Sequence, residues 1–346
     1  METTVQETKQ RPSITFALFA YKQEAYIREA ITGAFSQTYS PLTIILSDDH
    51  SPDQTFAIME EMAQEYNGPH KIVLNRNDSN LGLCGHINRV MELVETDWVL
   101  DAAGDDISLP HRVEATWEAI QKHPDAYSIF FDMDYIRDDE KNLWRFVPSP
   151  YPHTTNNYIK HGWVRVAGPS HAFNISVFRK FGPIPCNVTS EDSVIPFRST
   201  LLGKVLYVPS VVVRYRLHFS NITTLGRRLQ KPEEFRSDRL RLINFYAATF
   251  DCYQLDLEKA VQLGIMEKED FEQYSRTLAE QKRKLQIYMA AWQGPYFQRI
   301  GCAILTLFCP ASFTGESHKQ RLFLLVDSIF PFLDMIYHKY VRCRRF

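Results

Sequence analysis

The stretch from residue 98 to residue 112, WVLDAAGDDISLPHR, decides the fold of this chain. An apolar run is followed by small residues and then by two adjacent carboxylates, Asp105 and Asp106. This pattern predicts a buried strand with acids at its carboxyl end, which is where open α/β sheets bind ligands. Two hard oxygen donors there suit Mg²⁺ or Mn²⁺ with phosphate co-ligands. The alternative is an acidic loop that caps the next helix, and an isolated Asp-Asp pair would favour that alternative.

Segments with strand and helix patterns alternate on the amino-terminal side of this stretch. β-branched and aromatic residues predict strands, and apolar residues at helical spacing predict helices. The alternation predicts a mainly parallel sheet with helices on both faces. The predicted strands are residues 14–21, 43–46, 71–74 and 98–100, and the predicted helices are 24–35, 54–66 (with Asp53 as N-cap) and 86–94.

The chain beyond residue 112 is patterned less regularly. Residues 142–158 are irregular and aromatic, so they form either one side of an acceptor cleft or a long surface excursion. Strands are predicted at 125–135 and 211–217, and helices at 193–202, 240–253 and 268–288.

Composition and charge narrow the class of protein. The 346 residues are 45% hydrophobic and 13% aromatic, which is enough to bury a substantial core. The net charge of -2 is unevenly distributed: residues 1–225 carry 20 Lys and Arg against 27 Asp and Glu, whereas residues 226–346 carry 19 against 14. The acidic part fits a metal-using domain. The basic, aromatic tail fits contact with an anionic partner such as a membrane surface.

Cysteine usage and the chain ends predict a cytoplasmic location. The six cysteines are scattered without a C-x-x-C pair, so we interpret them as reduced thiols. Residues 1–12 are polar, lack an apolar signal region and are predicted to be disordered. The longest uncharged apolar run, residues 300–308, is shorter than the roughly 20 residues that span a bilayer.

Phosphate-binding loops of the common kinds are absent from the sequence. No G-x-G-x-x-G follows the first predicted strand, and no G-x-x-x-x-G-K-[ST] occurs, which argues against typical dinucleotide and P-loop folds. Acids instead follow the second and fourth predicted strands. Asp48 and Asp49 offer acceptors for a ribose or a base edge, although a turn-forming cluster is an alternative interpretation of this pair.

Several blocks of the first 110 residues resemble family 2 glycosyltransferases, which use nucleotide sugars and have the GT-A fold. Each block is modestly specific, but the blocks occur in the family's order with acids at the expected strand ends. They are YKQE at 21–24 with Tyr26 and Ile27, SQTY at 36–39, SDDHSPDQT at 47–55, NLG at 80–82 with Asn88, and GDD at 104–106.

The resemblance implies a GT-A, Rossmann-like catalytic domain over residues 13–225, with a mixed, mainly parallel sheet flanked by helices. Residues 226–346 then form a C-terminal helical extension. The acid block departs from the family's DXD pattern, because Gly104 stands where the first Asp is expected. The resemblance assigns the metal to Asp106. It assigns nucleotide-sugar binding to Phe19, Tyr21, Glu24, Asp48, Asp49, Asn80, Gly82, Asn88 and Asp105.

Three further blocks resemble the family downstream. Glu191 and Asp192 match its "ED" motif, which implies that Asp192 is the catalytic base and that Glu191 supports it or orients the acceptor. The alternative is that these acids only cap a helix. HFSNIT at 218–223 resembles an H-x-x-N-x-[ST] block, which implies that His218 completes the metal site, whereas a lone histidine is usually structural. GPSHAF at 168–173 resembles the acceptor-side block.

The tail beyond residue 226 predicts amphipathic helices and two apolar runs, at 300–308 and 322–336, with basic flanks. An interfacial helix has this composition, which would make the protein a peripheral membrane protein at the inner face of the cell membrane. The alternative is a helical subdomain that packs on the catalytic domain or on a second copy in a homodimer.

Together these features predict an inverting, Mn²⁺- or Mg²⁺-assisted glycosyltransferase. Its partners are a nucleoside diphosphate sugar and a glycan or lipid-linked glycan acceptor, in cell-surface polysaccharide, O-antigen or capsule biosynthesis. A nucleotidyltransferase is less well supported, since Lys22 is the single basic residue near the first strand. A catalytically silent nucleotide-binding or scaffold protein on the same fold stays open. A nucleic-acid partner is not expected, because no such motif occurs and the front half is acidic.

Overall fold

The computed structural model describes residues 11–137, 144–218 and 232–293. Contacts divide these residues into two units. Unit 1 holds residues 11–137, 144–148, 166–183 and 203–218, and unit 2 holds 149–165, 184–202 and 232–293. The predictions for residues 1–10, for the block at 219–223 and for the apolar runs at 300–308 and 322–336 lie outside the described residues.

Nine strands of the described chain form one sheet, which lies in unit 1. The strand order is β3-β2-β1-β4-β8-β6-β9-β5, and β7 pairs with β6 at one side. In chain order the strands are β1 (Ile14–Ala20), β2 (Leu42–Asp48), β3 (Lys71–Arg76), β4 (Trp98–Ala103), β5 (Ile107–Ser108), β6 (Ala126–Ile136), β7 (Trp144–Arg145), β8 (Ala172–Asn174) and β9 (Lys204–Arg216).

The helices follow the strands in alternation through the first half of the chain. In chain order they are α1 (Ile27–Phe35), α2 (Thr55–Glu65), α3 (Gly82–Met91), α4 (Arg112–Lys122), α5 (Thr155–His161), α6 (Ser176–Phe181), α7 (Glu191–Leu202), α8 (Pro232–Gln262) and α9 (Lys268–Gln293), with a 3₁₀ turn at Gly168–Ser170.

Parallel pairing dominates the half of the sheet that the amino-terminal strands form. β3, β2, β1 and β4 are mutually parallel neighbours, and β6 and β9 are also parallel. Antiparallel pairs join β4 to β8, β8 to β6 and β9 to β5. The predicted α/β class, with a mixed and mainly parallel sheet, flanking helices and C-terminal helices, is confirmed.

The core of unit 1 explains why its strands are apolar along most of their length. Phe16, Ile44 and Leu100 stand side by side in neighbouring strands, and each is fully buried. Strands that are covered on both faces need apolar residues at successive positions, not at alternate ones. Burying such a side chain stabilises the fold by about 1.5–3 kcal/mol.

Several element boundaries differ from those predicted. α3 begins at Gly82, four residues before the predicted start. The N-cap position of α2 is Gln54, so the prediction of Asp53 was wrong. Asp53 instead accepts a hydrogen bond from the Thr55 amide at 3.1 Å, one residue outside the cap. β9 begins at Lys204, well before the predicted start at residue 211. Its register with β6 jumps from Val208 to Val211, and this bulge accommodates Pro209 within the strand.

Unit 2 is built from the helices α5, α7, α8 and α9 around its own core. The rings of Phe197 and Tyr253 are stacked with centroids 3.8 Å apart. Arg198 and Asp256 form a buried ion pair, with Nε and Oδ2 2.9 Å apart. Within the described ranges, no helix combines the length and the apolar character needed to cross a membrane.

Candidate active site

The carboxyl ends of β1, β2 and β4 lie level with one another, so the turns that follow them meet at one edge of the sheet. Ala20 pairs with Asp48 in the strand register, and Phe19 pairs with Ala103. The pairing continues one step into the turns, because the Gly104 amide donates to the Phe19 carbonyl at 2.8 Å. The structure therefore brings together the groups that the sequence placed after these strands.

The turn that follows β4 is held by the last residue of β9. The Arg216 amide donates to Oδ1 of Asp106 at 2.9 Å, and Nε of Arg216 donates to the Asp105 carbonyl at 3.2 Å. The same guanidinium pairs with Oε2 of Glu29 at 2.7 Å and lies 5.1 Å from the ring centroid of Tyr26. We call the turn that contains Asp105 and Asp106 the acid turn, and we call Arg216 its clasp. The clasp fixes both the backbone and one carboxylate of the acid pair.

His218 contacts the other acid of the turn. Its Nε2 atom lies 3.0 Å from Oδ2 of Asp105, and its ring stacks on Tyr26 with centroids 4.8 Å apart. The sequence paired His218 with Asp106 as metal ligands. The structure places the imidazole directly on Asp105, which the sequence assigned to the sugar or ribose.

Asp106 is buried at the base of the turn, and its Oδ2 atom has no hydrogen-bond partner within the described residues. Burial and the neighbouring Asp105 raise the pKa of Asp106 well above its ordinary value, while the Arg216 amide and the charges of Arg112 and Arg216 oppose that rise. A buried carboxylate oxygen without a partner is costly. It therefore marks a place where a cation or a donor from a ligand would be stabilised.

The residues at the acid turn fit a divalent cation that is also coordinated by phosphate oxygens. Asp105 and Asp106 offer carboxylate oxygens, which are the ligands that suit Mn²⁺ and Mg²⁺, and the imidazole of His218 lies against Asp105 beside them. Among residues 11–137, 144–218 and 232–293, no three acidic, histidine or cysteine side chains enclose an ion by themselves. Oxygens from a bound diphosphate would have to complete the coordination.

The packing around Gly104 explains why no acid stands at the first position of the DXD pattern. A Cβ atom at this position would lie 2.5 Å from Oε1 of Gln23, 2.9 Å from Cβ of Ala20 and 3.0 Å from Cδ1 of Ile27. Any side chain would therefore collide with the turn that follows β1 and with α1. The departure noted in the sequence follows from local packing.

Asp49 organises the loop between β3 and α3. Its Oδ1 accepts hydrogen bonds from Nδ2 of Asn77 at 2.8 Å and from the Leu81 amide at 2.9 Å, and its Oδ2 accepts one from the Gly82 amide at 3.0 Å. Asn80 also accepts from the Gly82 amide, at 3.1 Å. The structure thus joins three of the predicted donor-binding residues into one hydrogen-bonded loop, in which Asp49 holds the backbone.

Asp48 lies beneath this loop and is fully buried. Its Oδ2 accepts from the Ser51 amide at 2.8 Å and lies 3.6 Å from Nε of Arg76. Its Oδ1 has no hydrogen-bond partner in the described part of the chain. Glu24, another residue predicted to bind the nucleotide sugar, is exposed, and its Oε2 atom accepts a hydrogen bond from the Gln54 amide at 2.9 Å.

Aromatic groups line the same edge of the sheet. Phe19 meets the ring of His86 edge-on, with centroids 5.2 Å apart, and His86 shares a hydrogen bond of 2.6 Å with Oγ of Ser47. Burial lowers the pKa of His86, and the nearby Asp49 and Asp48 oppose that shift. Tyr21 is exposed, with Nζ of Lys22 5.0 Å from its ring centroid. Asn88 lies half-buried on α3.

Two residues at this edge have a left-handed backbone. Lys22 has φ 55° in the turn after β1, and His50 has φ 60° in the turn after β2. Each is held by a hydrogen bond: the Lys22 amide donates to Oγ of Ser51 at 2.9 Å, and Nδ1 of His50 lies 3.0 Å from the Asn77 carbonyl. Such strain is concentrated at functional sites, because the surrounding structure must hold it in place.

The predicted catalytic acids begin α7 and belong to unit 2. Oγ of Ser190 donates to Oδ1 of Asp192 at 2.7 Å. Burial raises the pKa of Asp192, while the Ser190 hydrogen bond opposes that rise. Burial and the Asp192 charge raise the pKa of Tyr158, whose hydroxyl lies 2.7 Å from Nδ1 of His153. Glu191 is half-buried beside Asp192.

The family assignment rests on the amino-terminal part of the chain. The model described as Glycosyl transferase family 2 matches residues 15–182. This segment belongs to glycosyltransferase family 2. The family 2 segment includes β1–β4, the acid turn and the Asp49 loop, but it ends before α7, β9 and His218.

Relatives extend the similarity beyond this segment. A protein of Mycobacterium tuberculosis, named only as uncharacterized, is 25% identical over 210 residues, which cover 59% of this chain and 58% of that protein. An uncharacterized glycosyltransferase of Haemophilus influenzae is 23% identical over 252 residues, covering 68% of this chain and 74% of the relative. The chain thus spans less than two thirds of the mycobacterial relative's length.

A solved structure shares the fold over most of the chain. The crystal structure of S. aureus TarS 1-349 in complex with UDP-GlcNAc superposes with a TM-score of 0.56 at 14% identity, covering 94% of this chain and 91% of TarS 1-349. At this identity the likeness concerns the fold. The predicted GT-A architecture is confirmed by it, together with the sheet order of the family 2 segment.

Sequence reasoning missed the two arginines of the site. Arg216 forms the clasp, and Arg112 lies buried below the acid turn, where it donates to Oγ of Ser108 at 2.9 Å and to the carbonyls of Asp101 and His171. Burial lowers the pKa of Arg112 to about 10, and the charges of Asp101 and Asp106 oppose that shift. A signal existed only for Arg112, which follows the acid pair within the same stretch of sequence.

Proposed function

We propose that this protein is an inverting glycosyltransferase that moves a sugar from a nucleoside diphosphate sugar to an acceptor hydroxyl. The observation that carries the proposal is the acid turn of a family 2 segment, contacted by Arg216 and His218 at the edge where β1, β2 and β4 end. The fold neighbour TarS, solved with UDP-GlcNAc, supports a nucleotide-sugar donor.

The donor is proposed to bind at this edge of the sheet. Phe19 and Tyr21 offer aromatic faces to the base. The loop held by Asp49 places the side-chain amide of Asn80 and the backbone of Gly82 near the sugar and phosphate groups of the donor. Asn88 adds a side-chain amide from α3. Glu24 offers a carboxylate to hydroxyl groups of the donor, whereas the buried Asp48 supports the site from beneath the loop. Asp105, which the sequence assigned to the sugar or ribose, is proposed at the cation because it contacts His218.

A divalent cation, Mn²⁺ or Mg²⁺, is proposed to lie at the acid turn with Asp105, Asp106 and His218 as its protein ligands. When bound, such an ion neutralises the negative charge that develops on the leaving diphosphate. Arg216 holds the Asp106 carboxylate and His218 contacts the Asp105 carboxylate, which supports a preformed position for both acids. The buried Oδ2 of Asp106, which has no hydrogen-bond partner among the described residues, would then gain one.

Asp192 is proposed to be the general base, with Glu191 as its support. A carboxylate removes the acceptor proton as the hydroxyl attacks the anomeric carbon, and this commonly contributes 10²–10⁴-fold to the rate. Burial raises the pKa of Asp192, which suits this role because a base whose pKa lies closer to neutral pH accepts a proton more readily. A single displacement with one base inverts the anomeric configuration.

The acceptor is proposed to be a glycan or a lipid-linked glycan on the cytoplasmic side of the cell membrane, in polysaccharide, O-antigen or capsule assembly. The basic and apolar tail supports contact with the inner membrane face or a homodimer. Residues 226–346 are the part proposed to make this contact, and residues 13–225 are proposed as the catalytic domain.

Donor binding is the first test of the proposal. Thermal shift is measured with UDP, GDP, dTDP and CDP, each with and without Mn²⁺. A ligand that binds the native state raises the melting temperature by mass action. We expect one nucleotide to give a shift that Mn²⁺ increases and that Asp106→Ala abolishes. Asp97→Ala, at an exposed acid just before β4, is the control. No shift with any nucleotide would overturn the donor site.

A further inference from the structure

An open-sided pocket of about 430 Å³ lies in unit 2, between the segment that precedes α7 and the first half of α8. Its volume is in the range of small-molecule sites in proteins, which is roughly 300–1,000 Å³. Its lining includes Asn187, Thr189, Leu240, Arg241, Asn244 and Phe245.

The lining side chains match the chemistry of a charged sugar. Asn187, Thr189 and Asn244 provide amide and hydroxyl groups, which can both donate and accept hydrogen bonds, as sugar hydroxyls do. Phe245 supplies an apolar face for the C–H groups of a sugar ring. Arg241 adds a guanidinium, whose planar donors suit carboxylate and phosphate groups.

The pocket lies close to the proposed base along both of its walls. Thr189 lies just before α7, three residues ahead of Asp192 in the chain. On α8, Oγ1 of Thr249 lies 3.5 Å from Oγ of Ser193, the residue after Asp192. Phe245 lies one turn before Thr249 on α8, which is a rise of about 6 Å.

The lining residues also lie outside the part of the chain that the family shares. The family model ends at residue 182, whereas the pocket is formed by residues from 187 onwards. Residues outside the matched segment are not part of the pattern that the family model recognises, so they can be particular to this chain. A pocket beside the base and beyond the shared segment is therefore suited to recognise this chain's own acceptor.

We propose that this pocket binds the acceptor, and that the acceptor is a sugar bearing a carboxylate or phosphate group that Arg241 recognises. This inference rests on the proposed function, because it takes Asp192 as the base. Asn187, Thr189 and Asn244 bind the hydroxyl groups of that sugar, and Phe245 packs against its ring.

Saturation-transfer NMR on the full chain tests the pocket with three probes: methyl β-D-glucuronide, glucose 1-phosphate and the neutral methyl β-D-glucoside. We expect the acidic sugars to bind more strongly than the neutral one. Arg241→Ala should weaken acidic-sugar binding about tenfold, the loss expected for one charge-assisted hydrogen bond. The two acidic probes distinguish a carboxylate from a phosphate. Arg276→Ala, at an exposed arginine of α9, is the matched control.

The outcomes separate this inference from the proposed function. If neither acidic sugar binds the wild-type protein, or if Arg241→Ala and Arg276→Ala weaken binding equally, the pocket assignment is wrong. Donor binding by thermal shift is read on the same protein samples. A nucleotide shift without acidic-sugar binding overturns the pocket alone, whereas a missing nucleotide shift overturns the proposed function. Arg241 is exposed, and the melting temperature of the unliganded Arg241→Ala protein shows whether the fold is intact.

Discussion

The Nε2 atom of His218 lies 3.0 Å from Oδ2 of Asp105, so a residue that follows β9 holds the first acid of the turn that follows β4. Asp106, the second acid, is held by the Arg216 amide. Different partners therefore fix the two carboxylates. His218 and Arg216 are two residues apart, and both act on the acid pair more than 100 residues earlier in the chain.

Replacing His218 with alanine should weaken Mn²⁺-dependent nucleotide binding. His218 is proposed as a cation ligand and also contacts Asp105. Losing even a partner that only orients a metal-binding carboxylate typically costs 10–100-fold in metal affinity, so we expect a loss of at least about tenfold. Isothermal titration of the preferred nucleoside diphosphate, with and without Mn²⁺, measures this loss. His123→Ala, at an exposed histidine after α4, is the control. Equal affinities for His218→Ala and wild type would show that this imidazole plays no part in the donor site.

Arg216→Ala should destabilise the protein as well as the acid turn. The Arg216 side chain is only 4% exposed, and its removal leaves the Asp105 carbonyl without this donor and Glu29 without its ion pair. Losing hydrogen bonds from a charged, buried donor costs roughly 1.5–3 kcal/mol. Glu29→Gln should cost under about 1 kcal/mol, because Glu29 is half exposed and solvent screens the pair. Urea unfolding of both variants gives the comparison, and similar losses would contradict the clasp.

Gly104→Ala tests whether packing excludes a side chain from the acid turn. The added Cβ would lie within 3.0 Å of Gln23, Ala20 and Ile27, and overpacking of this kind typically costs 1–3 kcal/mol. Gly104→Asp, which would complete the DXD pattern, should be more destabilising and should not improve metal-dependent binding. Melting temperatures and nucleotide titrations measure the two effects. A stable Gly104→Asp protein with tighter Mn²⁺ binding would refute the packing explanation.

The order of the elements in the first 112 residues could be predicted because each strand or helix has a local pattern of apolar and polar residues. The strands 14–20 and 98–103 are mostly apolar, and acids stand at the end of β2, at residue 48, and just after β4, at residue 105. Both the sheet and its ligand-binding edge could therefore be predicted. The Arg216 clasp was not visible, because it depends on the pairing of distant strands. Only the second half of β9 was predicted, because Pro209 argues against a strand, and in the structure a bulge accommodates this proline.

The role of Asp49 shows another limit of sequence patterns. Its position after β2 predicted a contact with the donor, and that stays a prediction. The structure adds that the carboxylate also holds the Leu81 and Gly82 amides, a loop more than 30 residues away. A motif identifies which residues matter, but it does not separate a group that touches the ligand from a group that shapes the loop.

The pH dependence of transfer should report the ionisation of Asp192. Burial raises its pKa above the ordinary Asp value, and only the carboxylate form removes a proton, so kcat/KM should fall as the pH drops through the raised pKa. Ser190→Ala removes a hydrogen bond of 2.7 Å to the carboxylate, which should raise the pKa further and move the acid limb to higher pH. Asp192→Asn should lower transfer by about 10²-fold or more while leaving the nucleotide thermal shift unchanged. An acid limb at the same pH in Ser190→Ala and wild type would show that another group controls the profile.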